Sequence, residues 1–145
     1  MIRIVNLFFI IFFLLSAKAY SLIEIDITRG NLDPLPIAVS PLFQDDNSKR
    51  NSINELKIEN VGSEISLVVE NNLKISGLFN PLSKEAFLQK PDIAHLKPRF
   101  EDWALIKAQA LITGKVTIED KKLKVEFRLW DILAGREMMA LAFTT

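Results

Sequence analysis

Few residues in this 145-residue chain have side chains suited to catalysis or metal binding. The chain contains one histidine, His95, and no cysteine, which excludes disulfides, thiolate metal sites and a cysteine nucleophile. A single histidine without cysteine partners does not favour a zinc site. Asp45 and Asp46 are adjacent acids in a polar stretch, where solvated side chains are more common than metal ligands. We therefore expect no metal ion at these positions.

Sequence motifs of known catalytic sites are also absent. The chain has no G-x-S-x-G elbow, no S-x-x-K, no H-E-x-x-H and no phosphate-binding glycine loop. Glu24 and Asp26 lie two positions apart, and a solvated strand face explains them better than acid–base chemistry does. The sequence therefore predicts a protein that is not an enzyme, with no catalytic residue, no cofactor and no small-molecule substrate.

The first 19 residues have the three parts of a secretory signal peptide. Arg3 gives a positive start, residues 7–15 form a continuous apolar run, and residues 16–19 end it with small side chains in an A-x-A pattern. The run is shorter than the ~20 residues that a membrane-spanning helix needs. We predict cleavage between Ala19 and Tyr20, which would leave residues 20–145 as one secreted domain outside the membrane. A buried strand or an uncleaved anchor is the alternative.

The charge balance argues against nucleic acid as a partner. The whole chain carries 18 basic and 18 acidic side chains, a formal net charge of zero. Removal of residues 1–19 would leave 16 basic and 18 acidic side chains, a net charge of −2. This balance does not provide the basic surface that binding to phosphate backbones requires.

One amphipathic helix and several strands should position any functional residues. The helix follows from apolar residues spaced by three and four and is expected to end at Gly77. Its predicted buried stripe is Val61, Ile65, Val68, Val69 and Leu73. Leu78 and Phe79 should then form a short strand that ends at a turn of Asn80 and Pro81. Ser83 is a plausible N-cap for a short helix over residues 84–89, and a further helix is expected over residues 101–108, with Trp103 as a core anchor.

Strands are predicted on both sides of this helical part. Residues 22–28 alternate, with Ile23, Ile25 and Ile27 on one face, and residues 37–39 form a buried strand that Pro41 ends. A polar loop over residues 44–52 and a short helix over residues 53–58 should follow. Residues 110–119, 123–129 and 136–144 form a meander in which Trp130 is expected to face outward. The last strand is apolar on both faces, so we expect it to be covered on both sides. The fold class is therefore α/β (α+β), with a mixed sheet of about five strands flanked by helices.

Three stretches resemble the TolB family of the Tol–Pal envelope system, in its amino-terminal domain. They are the leading strand with its turn and PIAVSPLF, the segment VVENNLKISGLFNPL, and the closing region ALITGKVTIEDKKLKVEFRLWDILAGREMMALAF. The resemblance covers most of residues 20–145. It implies an α/β domain likened to anticodon-binding domains. In that family this domain precedes a β-propeller, of which this sequence contains no repeat.

The resemblance also implies a function. Members act in the periplasm without catalysis, in outer-membrane integrity, constriction at cell division and protein import. Their mature N-terminus binds the inner-membrane protein TolA. This N-terminal segment corresponds here to residues 22–33, with Ile23, Ile25, Ile27 and Gly30 as the partner-binding residues. Pal binding belongs to the propeller and is expected only if one is supplied. A small secreted hydrolase or another periplasmic binding domain is the alternative.

Overall fold

A computed structural model describes residues 33–44, 60–119 and 122–145 of the chain. The strands of its single sheet are, in chain order, β1 (Leu35–Val39), β2 (Phe43–Gln44), β3 (Phe79–Pro81), β4 (Ala110–Glu119), β5 (Lys122–Asp131) and β6 (Arg136–Thr144). The helices are α1 (Val61–Ile75), α2 (Pro91–Ala94) and α3 (Phe100–Leu105), with one 3₁₀ turn at Lys84–Ala86. The predicted strand over residues 22–28 and helix over residues 53–58 lie outside the described residues.

The sheet is mixed, as the sequence predicts. Its order is β3-β1-β4-β5-β6, with β2 paired to β4 beside this path. β1 runs parallel to both β3 and β4, and Ile37 pairs with Pro81 on one side and Ala110 on the other. β4, β5 and β6 form the expected antiparallel meander. Gly135 turns the chain between β5 and β6 with φ of 62°, and Asp131 Oδ1 accepts a hydrogen bond from Ala134 N. The α+β fold class is therefore confirmed.

Helices cover both faces of the sheet. α1 packs over one face, where Val61 joins Leu42, Val116 and Val125 in a buried cluster. The short helices α2 and α3 pack over the opposite face, where Trp103 is the largest fully buried side chain. That second cluster contains Ala38, Ala94, Trp103, Ala108, Leu111, Trp130 and Ile132. The two clusters place the core on both sides of β1 and β4.

α1 approaches the sheet through small residues as well as through its apolar stripe. Ser66 is fully buried; its hydroxyl accepts a hydrogen bond from Leu42 N at 2.9 Å and donates one to the Gly62 carbonyl at 2.8 Å. A Cβ at Gly62 would overlap the Leu42 carbonyl oxygen, so only glycine permits this approach. The predicted membership of Val68 in the buried stripe is wrong, since its side chain is 58% exposed. The helix ends near Gly77 as predicted, because Gly77 adopts a φ of 72°.

Four other expectations are corrected by the structure. Pro81 lies within β3, not in a turn, because β3 is an edge strand where a missing N–H is tolerated. Gln44 is buried in β2, since its backbone pairs with β4. Trp130 faces inward at 7% exposure, because the opposite sheet face is also covered. β6 was predicted to be covered, but it forms the other edge of the sheet and is exposed along its whole length.

The helix predicted over residues 84–89 is reduced to the 3₁₀ turn at Lys84–Ala86. Phe87 is already extended, with φ of −73° and ψ of 123°. Ser83 stands at the N-cap position, but its hydroxyl donates to the Glu85 carboxylate and caps no backbone N–H. The pKa of Glu85 is lowered from its ordinary value of 4.5, first by this hydrogen bond and then by its own backbone N–H.

Removing the Ser83 hydroxyl should raise the pKa of Glu85 toward its ordinary value. The hydrogen bond favours the ionised carboxylate. Its contribution to the stability of the fold is therefore present above the ordinary pKa of Glu85 and is lost as pH falls through the lowered pKa. An NMR titration of the Glu85 side-chain carbonyl in Ser83→Ala measures the change. Ser76→Ala is the matched control, since the Ser76 hydroxyl bonds the Leu73 carbonyl. An unchanged titration in Ser83→Ala would contradict the assignment.

Candidate functional site: a protein-interaction surface

The predicted partner-binding residues Ile23, Ile25, Ile27 and Gly30 lie outside the described residues, as do Ala19 and Tyr20 of the predicted cleavage site. The described chain begins at Asp33, which is exposed together with Pro34. The next residue, Leu35, starts β1 and donates a hydrogen bond from its N–H to the Leu78 carbonyl at 2.9 Å. The residues before Asp33 are therefore joined to β1, an inner strand of the sheet, through a surface position.

An apolar groove lies between α1 and the β6 edge. The α1–β6 groove has a volume of about 250 Å³. Its apolar lining comes from α1 and from three neighbouring strands: Val69, Ile112, Phe127, Leu129, Met139 and Leu141. Met139 and Leu141 are each 48% exposed, and Phe143 beside them is 57% exposed. Exposed apolar area of this kind on one face is typical of an interaction surface.

The sequence of β6 already indicated an interaction at this surface. Both faces of the strand are apolar, which indicates contacts on both sides. The pattern does not tell whether those contacts come from the same fold or from another polypeptide, and within the described residues the strand has a neighbour only in β5. The register between β5 and β6 shifts at Leu129 and Trp130, so the irregularity lies near the start of β6.

His95 has structural contacts. Its ring stacks on Phe43 with centroids 4.4 Å apart and an interplanar angle of 7°. Its Nδ1 lies 3.0 Å from the Pro91 carbonyl oxygen. When Nδ1 is protonated, it can donate a hydrogen bond to this oxygen. The buried hydroxyls of Ser40 and Ser66 bond backbone carbonyls. The stacking of His95 on Phe43 holds the end of α2 against β2.

The described part of the chain shows neither a metal-binding cluster nor a membrane-spanning helix. Within residues 33–44, 60–119 and 122–145, no three His, Cys, Asp or Glu side chains come close enough to hold a metal ion. No helix among these residues has both the length and the apolar character needed to cross a membrane.

Comparison with known proteins identifies related chains. A family model described as the TolB amino-terminal domain matches residues 23–138. The chain is 72% identical over 137 residues to the Tol-Pal system protein TolB of Pelagibacter ubique. The match covers 94% of this chain and 31% of that relative, so the chain spans about a third of its length.

Solved structures show the same fold at low identity. The crystal structure of TolB from Acinetobacter baumannii superposes with a TM-score of 0.55 at 17% identity, over 76% of this chain and 23% of that one. The C-terminal domain of LpoB from Escherichia coli gives a TM-score of 0.55 at 11% identity, over 81% and 86% of the two chains. These likenesses concern the fold alone.

Proposed function

Because this chain belongs to the TolB amino-terminal domain family, we propose that it is a periplasmic, non-enzymatic interaction module of the Tol–Pal envelope system. The observation that carries the proposal is the extent of the family match, which begins at Ile23 and runs through β1 to β5 as far as Met138, at the start of β6. The match thus includes most of the leading segment as well as the folded domain. The high identity to a relative named for the Tol–Pal system supports the same assignment.

The leading segment, residues 22–33, binds the periplasmic part of a TolA-like inner-membrane protein. Its alternation places Ile23, Ile25 and Ile27 on one face, so an extended chain can add to the edge of a partner's sheet with three apolar side chains on the buried side. The sequence predicts a turn around Gly30, between this strand and β1. The exposure of Asp33 and Pro34 supports the assignment, because a partner can reach the chain where it enters the sheet.

Export and cellular role follow from this assignment. Cleavage between Ala19 and Tyr20 would free the leading segment at the mature N-terminus. Through a TolA-like protein, the domain would serve outer-membrane integrity, constriction at cell division and protein import. Pal binding is proposed only for a chain that also carries a β-propeller, because this chain spans 31% of its relative.

Trimming the leading segment should abolish capture by a TolA-like periplasmic domain. Residues 20–145 and residues 34–145 are each passed over that domain immobilised on resin, and bound protein is quantified. We expect at least a tenfold loss on trimming, because the trimmed chain lacks the strand that pairs with the partner. Circular dichroism checks that both chains are folded.

Two variants of the chain of residues 20–145 distinguish the contribution of the apolar face of the leading segment from that of its polar face. Ile23→Ser, Ile25→Ser and Ile27→Ser together should lose capture as trimming does. Glu24→Gln with Asp26→Asn alters the opposite face and should retain most of it. Equal capture of the trimmed and intact chains would overturn the proposed function.

A further inference from the structure

A small pocket lies where the start of α1 meets β2. This α1–β2 pocket has a volume of about 270 Å³ and is also lined by the start of α2. Its apolar lining consists of Pro41, Leu42, Phe43 and Pro91. The volume is slightly below the ~300–1,000 Å³ of drug-sized pockets, so it suits a ligand about as large as one amino acid.

Gln44 lines this pocket and has a buried amide without a hydrogen-bond partner. The residue is 8% exposed, and neither its Oε1 nor its Nε2 forms a hydrogen bond with any described residue. Gln44 pairs with Val116 of β4, and paired residues of neighbouring strands point to the same face of a sheet. Since Val116 packs in the cluster under α1, the amide lies on the α1 side as well. Buried amides in native proteins nearly always have a partner, so this one points to a bound group.

The start of α1 presents unpaired donors at the same pocket. Asn60 stands at the N-cap position, but its side chain caps no backbone N–H. The Asn60 carbonyl oxygen accepts hydrogen bonds from Ser63 N and Glu64 N, each at 3.0 Å. In the described part of the chain, the N–H groups of Val61 and Gly62 have no acceptor. These two donors and the dipole of the 15-residue helix favour a carboxylate at this end of α1.

One cation and one anion also line the α1–β2 pocket. They are Lys90 and Asp92, and both are exposed. Within residues 33–44, 60–119 and 122–145, neither forms an ion pair. A purely anionic ligand is attracted by Lys90 but repelled by Asp92. A ligand that carries both a negative and a positive charge is matched by both residues.

We propose that the α1–β2 pocket binds a small apolar α-amino acid. The carboxylate of the ligand lies at the first turn of α1, where the N–H groups of Val61 and Gly62 and the Lys90 ammonium stabilise it. The ligand ammonium lies toward Asp92, and the ligand side chain contacts the apolar lining. The inference goes beyond the proposed function, because it assigns a small ligand, bound without reaction, to a surface other than the leading segment.

The Gln44 amide completes the recognition. The last torsion of a glutamine side chain is soft, so the amide can turn toward a ligand at little cost. Its Nε2 then donates to the ligand carboxylate, and its Oε1 accepts from the ligand ammonium. An α-amino acid holds these two groups on one carbon, so it can satisfy both unpaired atoms of Gln44 together.

L-Leucine tests the proposal when it is titrated into the ¹⁵N-labelled chain of residues 20–145. We expect the NMR signals of the Gly62 N–H and the Gln44 side-chain amide to shift, with a dissociation constant of about 0.1–1 mM. The Gly77 signal, at the other end of α1, should not move. Leucine amide lacks the carboxylate and N-acetyl-leucine lacks the ammonium, so each should bind at least roughly tenfold more weakly.

Two results of this titration would overturn the proposal. One is the absence of a Gly62 shift at about 10 mM leucine, well above the expected dissociation constant. The other is equal binding of leucine and either analogue, which would mean that the pocket does not recognise both charged groups.

Gln44→Met separates binding from folding. Methionine is unbranched and flexible, as glutamine is, but it has no strong hydrogen-bonding group to satisfy. Because a buried unpaired amide is destabilising, the ligand-free variant should melt at a higher temperature than the wild type. It should also bind leucine at least roughly tenfold more weakly. A variant that binds leucine as tightly as the wild type would contradict the role of Gln44.

Charge variants test the two ends of the ligand. Lys90→Met and Asp92→Asn should each weaken leucine binding at least roughly tenfold, since each removes one charge that the ligand meets. Lys97→Met and Glu101→Gln are the matched controls, because both residues are exposed and neither lines the pocket. The controls should bind leucine as the wild type does. Binding that falls equally in variants and controls would contradict the assignment of the pocket.

Discussion

Replacing Trp103 by alanine should lower the free energy of unfolding by about 3–5 kcal/mol. Trp103 is 1% exposed, and its ring meets Phe87 edge-on with centroids 5.0 Å apart. Removal of the ring leaves a cavity at the centre of the cluster on the α3 face of the sheet. Because a domain of this size has a total stability of about 5–15 kcal/mol, the loss is a large fraction of the whole. Urea unfolding followed by circular dichroism measures it, and the melting temperature should fall by roughly 15 °C.

The matched variant Trp103→Phe isolates the polar end of the ring. Trp103 Nε1 donates to Gln89 Oε1 at 3.0 Å, and the same oxygen accepts from Arg99 N at 2.9 Å. Phenylalanine keeps most of the buried area but loses one of these two bonds. We expect it to cost about 1–2 kcal/mol. An alanine variant no less stable than the phenylalanine variant would show that Trp103 does not anchor the core.

Replacing Gly114 by alanine should destabilise the domain by about 3 kcal/mol, at the upper end of the range for overpacking. Gly114 lies in β4 opposite Phe127, and a Cβ there would overlap the Glu126 carbonyl oxygen and lie 2.8 Å from Leu42 Cδ2. The carbonyl oxygen belongs to the backbone of β5, so it cannot move aside without distorting the β4–β5 pairing. Thermal and urea unfolding report the loss.

Gly77→Ala is the control for this prediction. Gly77 has a φ of 72° but no atom within 4 Å of an added Cβ. Alanine there meets only the cost of a left-handed conformation, about 1 kcal/mol. If Gly114→Ala unfolds at the same urea concentration as Gly77→Ala, close packing of β4 on β5 is not what requires glycine.

Local signals predicted the parts of the fold that depend on neighbouring residues. Gly77 ends α1 because its φ is set locally, and the alternation in β4 and β5 predicted their pairing through a short turn. Trp103 was identified as a core residue by its size alone, since large aromatic side chains rarely remain exposed.

The local sequence patterns could not predict the burial of side chains that pack against elements distant in the sequence. The helical spacing placed Val68 in the buried stripe of α1, but Val68 is exposed. The polar Ser66 is buried instead, and its hydroxyl accepts a hydrogen bond from Leu42 N. Trp130 was assigned to the solvent face, yet it is buried under α3 and donates to Thr113 Oγ1 at 2.8 Å. The apolar faces of β6 indicated contacts, and only the sheet order shows that they lie at an edge.

The predicted partner-binding residues, unlike the fold, are not described by the structure. Ile23, Ile25, Ile27 and Gly30 precede the described part of the chain, so their role stays a prediction that the capture experiment tests. The exposed groove beside β6 required the three-dimensional arrangement, because its lining comes from α1 and from strands that follow it by tens of residues.

The position of β1 between β3 and β4 determines when the sheet can be completed. Both of its neighbours are made after it: Phe79 of β3 pairs with Leu35, and Ala110 of β4 pairs with Ile37 about 70 residues later in the chain. Closing such a long loop is slow compared with forming the meander of β4, β5 and β6. A ribosome-bound or translocating chain therefore lacks the β4 neighbour of β1 until its last third emerges, which delays completion of the sheet until synthesis of the domain is nearly complete.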